Sequence, residues 1–117
     1  MGQPKNPSDH LLDGTFVAYT YENGSSVEVH FNQGQFRFKW TSGPFKDAQG
    51  AESYKCIKIA DKIYAVNIFM PNKTFVTLIY NFQDMTMCAS VLFTPCTETE
   101  LAMFEGGVID RLELCAA

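Results

Sequence analysis

FVAYTYENGSSVEVHFNQGQFRFKW, residues 16–40, is the stretch that decides how this chain folds. It holds three runs, FVAYTY (16–21), SVEVHF (26–31) and QFRFKW (35–40), separated by ENGS and NQG. Successive side chains of a strand point to opposite faces, so Phe36, Phe38 and Trp40 share one face and Arg37 and Lys39 the other. Asn23-Gly24 is a strong hairpin signal because both residues tolerate positive φ, so the second run returns antiparallel to the first. Tyr19 and Tyr21 lie on one face of the first run with Thr20 on the other. The pair either fills a core or presents two phenols to a ligand.

The same rhythm continues outward. YKCIKIA (54–60), IYAVNIFM (63–70), TFVTLIYNF (74–82) and MTMCASVLF (85–93) read as strands, with turns at Asp61-Lys62, Pro71-Asn72-Lys73 and Gln83-Asp84. Residues 42–52 read as a loop. After Pro95, Thr97 with Glu100 three residues on forms a capping box, which predicts a short helix over TETELAMF (97–104) that stops at Gly106-Gly107 before a final strand, VIDRLEL (108–114). Residues 1–13 read as a polar tail ending in a helical turn that Ser8 caps and Gly14 ends, and residues 14–117 as one domain. About eight short strands at roughly ten-residue spacing fit a sandwich or an up-and-down barrel. Closure removes exposed edges and leaves an interior able to hold one small ligand, which favours an all-β antiparallel barrel.

Alternation gives the inward set. Val27, Val29 and Phe31 follow from the pairing of the second run with Phe36, Phe38 and Trp40, and Val17, Tyr19 and Tyr21 from the first. Later strands contribute Tyr64, Val66, Ile68 and Met70, then Val76, Leu78 and Tyr80. Such a lumen is aromatic and nearly uncharged, its polar points being phenols and the Trp40 indole N–H. That is the make-up of a small-molecule pocket. Phe16, Phe69, Phe75 and Ile79 fall on the outer face, where an apolar patch marks a dimer or partner surface.

Composition narrows the partners. The 117 residues are 46% hydrophobic and 14% aromatic, enough for a real core, and the formal charge of -4 argues against nucleic acid or an anionic membrane. No apolar run approaches the roughly 20 residues that span a bilayer, and MGQPKNPSDH has no apolar signal core, so a cytoplasmic location is expected. Cys56, Cys88, Cys96 and Cys115 are then reduced thiols, at spacings that match no zinc pattern. With no phosphate loop, nucleophile elbow or metal-ligand cluster, neither a cofactor nor a metal is expected. Glu22 reads as a solvated turn residue, and His30 as outward-facing.

GTFVAYTYENGSSVEVHFNQGQFRFKWTSGP (14–44) resembles the opening of the phenolic acid decarboxylases and of their MoaF-like relatives, the proteins similar to molybdenum-cofactor biosynthesis protein F. The resemblance is specific around Tyr19-Thr20-Tyr21-Glu22-Asn23-Gly24 and Ser42-Gly43, and it implies a lipocalin-like (calycin) barrel. It also implies that Tyr19 and Tyr21 hold a substrate carboxylate and assist its loss. Where those decarboxylases carry an arginine after Ser-Gly, this chain has Lys46, Asp47 and Ala48; where they carry a glutamate before a proline, it has Met70. Lys46 is the one cation placed to substitute, without the bidentate fork of arginine. These departures count against decarboxylation of hydroxycinnamic acids. The expected function is a cofactor-independent lyase, isomerase or cyclase acting on an aromatic or polyketide-like molecule, with Tyr19, Tyr21 and Lys46 as catalytic candidates. The alternatives are a non-catalytic binder or carrier and a dimeric interaction module.

Overall fold

Two of the tight turns show how local sequence sets the architecture. At Asn32-Gln33-Gly34-Gln35, Asn32 pairs with Gln35, and Gln33 and Gly34 both adopt positive φ (52° and 74°), the mirror-image turn that matches strand twist. At the first hairpin the expectation of two positive-φ residues is corrected. Only Gly24 is left-handed there (φ 93°); the Gly24 N–H donates to the Tyr21 carbonyl (2.9 Å) and the Tyr21 N–H to the Ser25 carbonyl (2.8 Å), a three-residue loop closed by a glycine bulge. Asn23 acts through its side chain, whose Oδ1 accepts the Ser25 N–H at 2.8 Å.

The computed structural model describes residues 10–71, 74–93, 98 and 101–114. Its strands are β1 (Phe16–Tyr21), β2 (Ser26–Asn32), β3 (Gln35–Ser42), β4 (Gln49–Ala60), β5 (Ile63–Met70), β6 (Thr74–Asn81), β7 (Thr86–Phe93) and β8 (Leu101–Glu113). Each pairs antiparallel with the next, and β8 pairs with β1 to close the barrel. The all-β barrel of eight strands is therefore as expected. No described helix is long and apolar enough to cross a membrane.

Two assignments change. β4 starts at Gln49, not Tyr54, because Gln49 to Ser53, poor in β-formers, are held by their ladder to Lys39 through Gln35 of β3; the loop shrinks to 43–48. The helix expected over 97–104 is strand from Leu101 onward, while Thr97 and Glu100 of the capping box, like Ser8, lie outside the described residues. Leu101 to Glu113 instead supplies the strand that joins β7 to β1, and the ladder bonds gained there outweigh a short helix that is marginal alone. Ala102 and Phe104 are exposed on one face, and Met103 and Glu105 line the lumen on the other. A bulge leaves Asp110 between the pairs Tyr19–Ile109 and Ala18–Arg111, and its carboxylate accepts the Thr20 hydroxyl at 2.7 Å. The bulge shifts the alternation by one, so Leu112 rather than Arg111 packs against the core.

One end of the barrel is sealed. The turn at residues 10–14 folds across it, Leu12 is buried, and the Asp13 carboxylate accepts the Gly34 N–H (3.1 Å) and the Tyr54 hydroxyl (2.7 Å). Phe31 stacks edge-on against Phe36, Tyr54 and Tyr80 beneath this cap. Every residue expected to face inward does so, being buried or packed against the buried cluster. Phe69 and Phe75 stack on the outside, exposed, with ring centroids 4.7 Å apart.

Burial also sets an alkaline limit. The Cys56 thiol is pushed by burial from 9.0 up to about 11, and the buried Tyr19 and Tyr80 phenols and Tyr54 are held above their ordinary value. The unfolded thiol loses its proton near 9.0 while the folded one keeps it, so this stability is present below pH 9 and lost as pH rises toward 11. The melting temperature is expected to hold up to about pH 9 and fall above it. In Cys56→Ala the first part of that fall should shrink; an unchanged profile would remove the thiol from the account.

Candidate functional site

The end opposite the cap is open. A cavity of about 270 Å³ descends from it between the β1–β2 turn, the β3–β4 loop and the mouth-side ends of β5 to β8. Tyr19 and Tyr21 line it from β1, Val27 from β2, and Phe36, Phe38 and Trp40 from β3. Met70, Val76 and Leu78 line it from β5 and β6. Thus nine of the residues singled out by alternation meet around one space.

The others are placed elsewhere. Val29, Phe31, Ile68 and Tyr80 are inward but sealed in the core below the cavity, and Tyr64 packs on Phe82 toward the capped end, ring centroids 5.6 Å apart. Lys46 is exposed in the β3–β4 loop and does not line the cavity, whereas its neighbour Phe45 does, 5.5 Å from the Trp40 ring. Phe45 itself is about half exposed, so the loop sets one ring against the cavity and leaves the lysine in solvent.

The remaining lining residues were not singled out from sequence. Ala89 and Val91 were within reach, since they alternate in step along β7. Asn23 and Ser25 belong to the hairpin turn, Thr74 begins β6, and Met103 and Glu105 come from the segment that reads as helix. Glu105 matters most. It is the charged side chain among the described lining residues, and its Oε1 accepts the Asn23 N–H at 3.0 Å.

The phenols form a chain running down from the mouth. Tyr21 stacks on Trp40 (centroids 6.0 Å, 28° between planes) and meets Tyr19 edge-on at 5.6 Å. The Tyr19 hydroxyl is hydrogen-bonded to that of Tyr80 at 2.9 Å, both residues being buried. Burial raises all three phenols well above their ordinary value; for Tyr19 the Tyr80 hydroxyl adds to the rise, and for Tyr21 so do Tyr19 and the Glu105 carboxylate. Around neutral pH these groups are therefore uncharged donors and acceptors. Among the described residues no three His, Cys, Asp or Glu side chains converge on a metal position. The site is an aromatic, mostly apolar cavity with a few polar groups at one end, the kind of space that takes a small molecule.

The profile of the MoaF N-terminal domain matches residues 3–92. The chain belongs to the MoaF N-terminal domain family. No curated protein matches it. Among solved structures, a barrel from Burkholderia vietnamiensis, provisionally named a beta-lactamase, is similar with a TM-score of 0.74 and 18% identity, over 96% of this chain and 99% of that one. At that identity the likeness shows the fold alone. The MoaF match ends at Leu92, so β8, with Met103 and Glu105, lies beyond it.

Proposed function

We propose that this MoaF-family barrel binds a small, largely apolar molecule in its open-ended cavity, with the Tyr19 and Tyr21 phenols as hydrogen-bond donors to the ligand's polar group. The observation that carries this reading is the buried Tyr19–Tyr80 hydrogen bond beneath a lined cavity, since it fixes one of the two phenols that line the space. A filled barrel would need neither the space nor the phenols.

Turnover is the second reading, and Tyr21 beside Glu105 favours it. A neutral phenol and a carboxylate at one point of an apolar cavity suit proton transfer in a cofactor-independent lyase, isomerase or cyclase reaction on an aromatic or polyketide-like substrate. Native mass spectrometry of freshly purified protein, followed by a thermal-shift panel of phenolic acids, flavonoids and polyketides, tests both. Tyr21→Phe is expected to weaken binding about five- to tenfold, the net worth of one hydrogen bond. Loss of turnover with binding retained in Tyr19→Phe and Tyr21→Phe marks an enzyme, and weakened binding alone marks a carrier. No ligand and no shift across the panel would make the tyrosines core residues.

A further inference from the structure

Resting on the reading of the cavity as a ligand site, we propose that its occupant is an organic cation, an amine or ammonium group on a small apolar body. The electrostatics of the lining point that way. Among the described residues that line the cavity there is no Lys, Arg or His, and the carboxylate of Glu105 is set beside Tyr21 with one oxygen held by the Asn23 N–H. The phenols are neutral and Lys46 stays in solvent, so Glu105 lines the cavity without a positive partner among the described lining groups.

Each class of ligand meets that arrangement differently. An acid would shed its hydration shell into an apolar space and then face a like charge, with no cation among the described lining residues to offset either cost. A neutral molecule would fill the apolar part and leave Glu105 without an opposite charge. A cation gains twice. It pairs with Glu105, and it lies against the aromatic faces of the mouth, where Tyr21 stacks on Trp40 and Phe45 stands 5.5 Å from the indole. Rings attract cations through their negative faces, indole most of all, and an aromatic cage with one carboxylate is a site for that charge. Because Glu105 lies on β8, outside the stretch that matches the MoaF family, this preference is written into the chain's own last strand.

Three probes of one carbon skeleton test it: 3-phenylpropylamine, 3-phenylpropan-1-ol and 3-phenylpropanoate, titrated calorimetrically into the intact protein at pH 7. The amine is expected to bind about tenfold more tightly than the alcohol, and the propanoate most weakly. In Glu105→Gln, whose amide oxygen can still accept the Asn23 N–H, the amine should lose most of its advantage over the alcohol, the aromatic faces keeping the remainder. Equal binding of amine and alcohol, a preference for the propanoate, or an amine preference undiminished in Glu105→Gln overturns the cation assignment and leaves the cavity reading standing. Binding of none of the three overturns both. The ranking in the unmodified protein decides the matter even if the variant fails to fold.

Discussion

Gly107→Ala is expected to lower stability by about 3 kcal/mol, while Gly106→Ala, one residue away, shifts it by less than about 1 kcal/mol. The two glycines are adjacent on β8, but a Cβ at Gly107 would stand 2.7 Å from the Thr20 carbonyl oxygen and 3.1 Å from the Met87 sulfur. At Gly106 the nearest atom is 3.7 Å away, an ordinary contact. Gly107 pairs with Tyr21 on one side and Met87 on the other, so the added methyl presses on backbone that cannot swing aside. That point is the seam where the last strand closes on the first, and forcing it apart would also disturb Tyr21 at the cavity mouth. Urea denaturation of both variants measures the contrast. Equal effects would mean that the β1–β8 seam has room, and that the closeness at Gly107 does not fix how the barrel closes.

The same two glycines mark where sequence reading stops. Gly-Gly after a capping box is a sound local signal for a helix end, and it loses because an eight-stranded closure needs a strand there, a demand imposed by residues some ninety positions away. The first three strands were legible because their alternation is strong and their turns are short. The first half of β4 was not, because QGAES carries no alternation of its own and is a strand only through its ladder with β3. In the site, alternation found the inward faces but not the depth. Val27 and Val29 look alike in sequence, yet Val27 lines the cavity and Val29 is sealed below it, because which end is capped is decided by the seating of Leu12 and Asp13. Glu105 was lost with the strand that carries it.

The resemblance to decarboxylases can now be weighed by position. Tyr19 and Tyr21 line the cavity. The place it gives to a glutamate is Met70, which also lines the cavity, and the loop it gives to an arginine offers Lys46 in solvent and Phe45 in the wall. Where the resemblance expects a cation, the described lining has the Phe45 ring, and its carboxylate is Glu105 on β8, not a residue of β5. A cavity whose described lining has two phenols and one carboxylate is a reason to look among ligands other than hydroxycinnamic acids.

Phe31→Ala is expected to cost about 3–5 kcal/mol, the usual loss for a buried phenylalanine. Phe31 is 1% exposed and touches Phe36, Tyr54 and Tyr80 edge-on, with centroids 5.5, 4.8 and 6.1 Å away. Its backbone bonds to Gly14 and Thr15 do not depend on the ring, so the strand stays in place and a void opens under Tyr80. The consequence reaches the cavity. Tyr80 is held by its rings' neighbours and by one hydroxyl bond to Tyr19, so losing the floor beneath it should loosen the Tyr19 phenol and weaken ligand binding as well as stability. Phe31→Leu, which keeps most of the volume, should cost about 1.5 kcal/mol and spare the binding. The affinities of both variants, measured well below their melting temperatures, separate packing from hydrogen bonding: unaltered affinity in Phe31→Ala would mean that the hydroxyl bond alone positions Tyr19, and a loss that Phe31→Leu restores would tie the capped end of the barrel to the open one.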